Sequence, residues 1–136
     1  MQHIMRLVNN QFDLIKNGVK TIELRLNDEK RRSFEVGDTI IFSNIENSAK
    51  LLVEIISIRI YEDFEELFKH YSKESLGYKS TDNPNPKDML VYYTKDEIVK
   101  YGVLAIGISL KSKSINEYLS YGDFINLLHI KIENMN

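Results

Sequence analysis

From Gly18 to Leu26 the chain settles into alternation: Ile22, Leu24 and Leu26 are apolar, and Thr21, Glu23 and Arg25 are polar. A period of two marks a strand with unlike faces, so residues 19–26 are expected to form one. Four further runs read the same way. HIMRLV (3–8) is short and apolar, and FEVGDTIIFSN (34–44) turns at Val36-Gly37-Asp38 before entering a strand. LLVEIISIRIY (51–61) is long and β-branched, and VLAIGISLK (103–111) has the nearly unbroken apolar character of a buried strand. Between these runs the spacing becomes helical. NNQFDLIKNG (9–18) can be capped by Asn9 or Asn10, aligns Phe12 with Ile15 and Leu14, and ends at Gly18, where a left-handed residue belongs. EDFEELFKHYS (62–72) sets Phe64, Leu67, Phe68 and Tyr71 on one stripe. MLVYYTKDEIVKYG (89–102) reads as a helix that restarts at Thr94, where TKDE resembles a capping box. NDEKRRS (27–33) is a charged loop, and YKSTDNPNPKDM (78–89) is a loop holding both prolines. Residues 112–136 read as one amphipathic helix. Interleaved strands and helices of this kind give an α+β arrangement with a mainly antiparallel or mixed sheet.

Composition narrows the chemistry. A chain of 136 residues is expected to be one domain, able to bury roughly two thirds of its unfolded surface. The formal net charge of -2 advertises neither a nucleic acid nor a membrane partner. There is no cysteine, which excludes disulfides, thiolate catalysis and thiolate-bound zinc. His3, His70 and His129 stand far apart without metal-ligand spacing, so neither a metal nor a cofactor is implied. No apolar run is long enough to span a membrane, and MQHIMRL lacks the apolar stretch of a signal peptide, so a cytoplasmic location is expected.

The candidate chemistry sits on the alternating strand. Thr21, Glu23 and Arg25 share a face about 6.6–7 Å apart at each step. Arg25 offers a planar fork of donors suited to a phosphate, a carboxylate or the face of a base. Glu23 can accept from an exocyclic amine or a ribose hydroxyl. Lys20 supplies a point charge, and acts in acid/base chemistry only where burial lowers its pKa towards neutrality. Tyr92, Tyr93 and Tyr61 could stack on a base, with one ring of the Tyr92–Tyr93 pair expected inward and the other at a cleft rim. Blander readings stand beside these. Glu23 and Arg25 make a plausible i, i+2 ion pair on an exposed sheet, and Glu74 a solvated helix residue. Glu29, Lys30, Arg31 and Arg32 make a solvated loop, His70 a partly buried structural residue, and Asp38 a turn residue bonding its own backbone.

The order GVKTIELR, VGDTIIF, then VYYTKDEIVKYGVLAIGI resembles the ASCH domain of the PUA-like superfamily. That family's recurrent Gly-x-Lys-x-x-Glu-x-Arg is matched by Gly18, Lys20, Glu23 and Arg25, and its Val-Gly-Asp turn by Val36, Gly37 and Asp38. The resemblance covers roughly residues 3–111, leaving 112–136 as a C-terminal helical extension to a domain of residues 1–111. It implies a small mixed β-barrel flanked by helices, with a cleft lined by Lys20, Glu23 and Arg25, to which the reading of the residues adds Thr21, Tyr92 and Tyr93. It implies RNA or a nucleotide-like small molecule as partner. One branch of the family hydrolyses N4-acetylcytidine with a Lys, a Thr and a Glu. Those positions fall on Lys20, on Glu23 in place of the Thr, and on Glu74. With the hydroxyl missing, binding ranks ahead of amidohydrolysis of a modified nucleoside, and an interaction domain with a vestigial cleft stands third.

Overall fold

The computed structural model describes residues 1–113, and the helix expected over 112–136 falls outside the described residues from 114 onward. The elements run β1 (Gln2–Leu7), α1 (Asn9–Lys16), β2 (Ile22–Leu26), β3 (Thr39–Asn44), β4 (Lys50–Tyr61), α2 (Phe64–Phe68), a 3₁₀ helix (Pro86–Val91), α3 (Lys95–Tyr101) and β5 (Val103–Ser112). The five strands form one mixed sheet in the order β1-β3-β4-β5-β2, parallel at β1–β3 and antiparallel elsewhere. The sheet curls into a half-barrel, an α+β architecture of the PUA-like kind.

Two clusters of buried side chains hold it. Inside the curl, Phe12 and Ile15 of α1 plug the sheet and pack with Phe42, Val53, Ile55, Leu104 and Ile106. On the outer side, Ile22, Leu24 and Leu26 of β2 pack with Phe64, Leu67, Met89 and Val103. Strand β5 serves both: Leu104, Ile106 and Ile108 face inward, while Val103 and Ala105 face outward. A bulge near Ile56 presses Ser57 onto β5 at Gly107, where an added Cβ would collide with the Ser57 hydroxyl.

Several boundaries differ from the sequence reading for identifiable reasons. Neither Asn9 nor Asn10 caps α1: Val8 is the N-cap, Asn9 Oδ1 accepts from Asn44 Nδ2 at 2.8 Å, and Asn10 Oδ1 accepts from the Gln11 amide at 2.9 Å. The Val19 and Lys20 amides both donate to the Leu14 carbonyl, so β2 begins at Ile22 rather than at 19. Gly18 does take a positive φ, 76°, as expected. The predicted helix 89–102 divides into the 3₁₀ turn and α3, whose Thr94–Glu97 capping box forms in both directions at 3.1 and 3.0 Å. His70 is half exposed, stacked on Tyr61 and 3.3 Å from Glu66.

Asp38 does more than close its turn. Burial raises the pKa of this carboxyl, yet contacts from the Met1 ammonium (2.9 Å), His3 Nε2 (2.8 Å) and the Glu35 amide (3.0 Å) outweigh that and bring it to about 2. A carboxyl whose folded pKa lies below its unfolded 3.8 contributes stability above that value and loses it as pH falls towards 2. The contribution is on the order of 2 kcal/mol. Asp38→Asn should therefore narrow the stability gap to wild type as pH drops from about 4 to about 2, measured as urea midpoints at each pH. An unchanged gap across that window would refute the assignment.

Candidate functional site

Strands β1 and β2 are the two edges of the half-barrel, and a cavity of about 590 Å³ opens between them. Arg6, Leu7 and Val8 line it from the β1 side, Glu23, Leu24 and Arg25 from β2, and Gln11 from α1. The segment 76–93 forms the opposite wall.

The polar row of β2 does not face solvent. Residues opposite one another in an antiparallel pair share a face. Glu23 is opposite Ile106 and Arg25 opposite Leu104, so both point into the curl, while Ile22, Leu24 and Leu26 back onto the outer cluster. Both faces of this edge strand are thus covered. Glu23 is only 2% exposed and Lys20 6%.

The edge is sealed by its own side chains. Leu24 is flanked by the two charged residues: its amide donates to Glu23 Oε1 at 3.1 Å, and its carbonyl accepts from Arg25 Nη1 at 2.9 Å. Arg25 Nη1 also donates to Glu23 Oε1 at 2.8 Å. Lys20 Nζ lies 3.6 Å from the same oxygen and donates to Gln11 Oε1 at 2.6 Å. Everything converges on Oε1, and Glu23 Oε2 is buried with no hydrogen-bond partner among the described residues.

Burial pushes the Glu23 carboxyl up, but Lys20, Arg25 and the Leu24 amide together hold it below the usual carboxylate range, so it is ionised. Burial pulls Lys20 below its ordinary pKa despite the attraction of Glu23, and Arg25 adds to the depression. The site therefore holds an ionised carboxylate with one open acceptor, a cation that gives up its proton more readily than usual, and a guanidinium with further donors.

The remaining sequence-predicted residues divide. Tyr93 is half-buried, stacked on Phe64 at 6.0 Å, while Tyr92 is 67% exposed at the cavity rim, as expected of the pair. Tyr61 lines a different groove. Thr21 is exposed and Glu74 half-buried, and neither lines the cavity. The charged loop 27–33 is not uniformly solvated: Lys30 and Arg32 are exposed, but the Arg31 side chain is only 19% exposed, sits 3.7 Å from Asp28 and leaves its Nε without a partner among the described residues.

Sequence reasoning missed Gln11, Gly77, Tyr78, Asp82 and Asp88. Gly77 has φ 101°, and a Cβ there would meet Gln11 Oε1 and the Lys20 side chain, so its lack of one lets the loop close over both. Tyr78 donates to Asp88 Oδ2 at 3.1 Å; burial and that carboxylate raise its pKa to about 12. The glycine immediately before the YKSTD loop is the one signal that could have marked this wall. Among the described residues no cluster of three or more His, Asp or Glu is placed to hold a metal, and no helix is long and apolar enough to cross a membrane.

Comparison with known proteins bears on the fold and the family. The ASCH domain profile matches residues 5–112. The crystal structure of the hypothetical protein PH0355 is 35% identical, covering 82% of this chain and 100% of that one, with a TM-score of 0.69. Protein PF0455 from Pyrococcus furiosus, solved in solution, is 32% identical, covering 81% and 97%, with a TM-score of 0.65. ASCH from Zymomonas mobilis, at 16% identity, covers 82% of this chain and 67% of that one with a TM-score of 0.56, a likeness of fold alone. No curated protein matches the sequence.

Proposed function

The chain belongs to the ASCH domain family, and from that premise we propose that the cavity between β1 and β2 binds a nucleobase-bearing ligand: a nucleoside, a nucleotide or a short single-stranded RNA segment. One observation carries the reading. Glu23 Oε2 is an ionised, buried acceptor without a partner among the described residues, and leaving such an atom unsatisfied costs about 1–3 kcal/mol or more. An exocyclic amine or a ribose hydroxyl supplies the missing donor. Arg25 donors then meet a carbonyl or phosphate oxygen, and Tyr92 offers its face at the rim. The net charge of -2 disfavours tight sequence-independent RNA binding, which depends on many phosphate contacts.

The test is a thermal-shift screen of nucleosides, nucleotides and short RNA. A ligand at about 100 times its dissociation constant adds roughly 2.7 kcal/mol of stability. No shift with any of them would overturn the reading.

Amidohydrolysis of a modified nucleoside is favoured by the lowered pKa of Lys20, which brings closer the neutral amine that could take a proton from water attacking an acyl carbon. Against it, the position of the hydrolytic branch's hydroxyl is held by Glu23, already bound to Lys20 and Arg25, and Glu74 does not line the cavity. Incubation with N4-acetylcytidine should release no acetate above background, followed by chromatography of the nucleoside. Turnover abolished by Lys20→Ala would contradict this and establish the enzyme reading.

A further inference from the structure

We propose that the outer end of β4, with the groove beside it, docks an extended peptide segment of another protein bearing a carboxylate side chain. Strand β3 pairs with β4 only from Lys50 to Glu54, while β4 continues against β5 to Tyr61. From Ile56 onward, among the described residues, no strand pairs with the β3 side of β4 and no main-chain hydrogen bond is made there. The Ile108 amide donates to Thr21, so even-numbered residues of β5 turn their main-chain groups to β2 and odd-numbered ones to β4. Arg59, opposite Ala105, therefore completes the β4–β5 ladder. Ile58 and Ile60, opposite Ile106 and Leu104, turn their N–H and C=O groups outward.

Those four groups sit on a prepared surface. A groove of about 490 Å³ runs along this edge, lined by Ile58, Arg59, Ile60, Tyr61, His70 and Tyr71. It shares no residue with the cavity between β1 and β2. Its aromatic wall is ordered: Tyr61 stacks on His70 at 5.0 Å, and its hydroxyl lies 3.0 Å from that of Tyr71. Ile56 and Ile60 are 56% and 64% exposed, unlike the other isoleucines of this strand. Arg59 is exposed and has neither an ion pair nor a hydrogen bond among the described residues.

An extended backbone is the partner that satisfies outward N–H and C=O groups spaced by two, with its alternate side chains entering the groove. The charge decides between a second copy of this chain and a foreign segment. The antiparallel register that pairs all four groups of two copies sets Arg59 directly against Arg59, which is unfavourable. A segment with Asp or Glu at that position turns the same contact attractive.

The test is panning of a random heptapeptide phage library on the full chain, followed by titration of the enriched peptide into ¹⁵N-labelled protein. Enriched sequences should alternate β-branched or aromatic residues and carry an acidic residue, and shifts should fall on Ile56–Tyr61, His70 and Tyr71. Ile60→Pro removes an outward N–H without breaking a ladder bond, a position where proline is tolerated, and should weaken binding about tenfold or more. Arg59→Glu, on an exposed position, should reverse the preference from acidic to basic peptides. No enrichment, peptides bound equally well by Arg59→Glu, shifts confined to Lys20–Arg25, or a concentration-dependent dimer abolished by Ile60→Pro would each overturn the proposal.

Discussion

Replacing Glu23 with Ala should destabilise the fold by about 3–5 kcal/mol, because it leaves two cations in a space built around one carboxylate. Lys20 and Glu23 are almost wholly buried, and Arg25 is 18% exposed at the side chain. Without Glu23, the Arg25 guanidinium keeps only the Leu24 carbonyl among the described residues, and the Leu24 amide loses its acceptor at the edge of β2. Lys20, whose pKa burial already lowers, can shed its proton, so the loss should shrink as pH rises. Glu23→Gln keeps an oxygen for Leu24 and should lose less. Urea unfolding with an unchanged m-value measures both. A deficit below about 1 kcal/mol for Glu23→Ala would mean that water already screens the trio.

Arg25→Ala should weaken binding of a ligand found by screening by about 1.5–3 kcal/mol, the range of a charge-assisted hydrogen bond. Strand β2 and the bonds to Glu23 and Leu24 hold the guanidinium in place, so little side-chain freedom remains to be lost on binding. Arg32 on the charged loop is the control: it is exposed, donates to the Asn27 carbonyl at 3.1 Å and does not line the cavity. Arg32→Ala should change affinity by less than about 1 kcal/mol, an effect that fades with added salt. Calorimetric titration of both variants at low and high salt, on protein shown to be folded, decides it. A greater loss from Arg32→Ala would move the binding surface to the loop.

The pattern of the sequence reached as far as local physics carries it. Alternation from Ile22 to Leu26 assigned the correct faces, because the period of a strand is fixed by its backbone. The capping box at Thr94 and the turn at Gly18 were legible because both rest on residues a few positions apart. What covers the polar face was not legible in the alternation itself, which fits an exposed ion pair, and only the family resemblance pointed to a cleft. Glu23 and Arg25 look outward when β2 is imagined alone, and only its antiparallel pairing with β5 turns them into the curl. The same limit hid Gln11 and Gly77, whose contacts with Lys20 and with each other cross the wall between α1 and the loop after α2. Arg31 folds back against Asp28 unannounced, because a run of charges gives no sign of which member does so.

The proposed binding role of the unpaired Glu23 oxygen is tested most directly by titrating a nucleoside and nucleotide panel into ¹⁵N-labelled wild-type protein and into Glu23→Gln. In wild type, a binding nucleoside or nucleotide should move the amides of Lys20, Leu24, Arg25 and Gly77 together. In Glu23→Gln, with the fold retained, those shifts should be lost or need about tenfold or more ligand. Equal binding by the two proteins, or a panel that leaves those four amides unmoved in wild type, would contradict it.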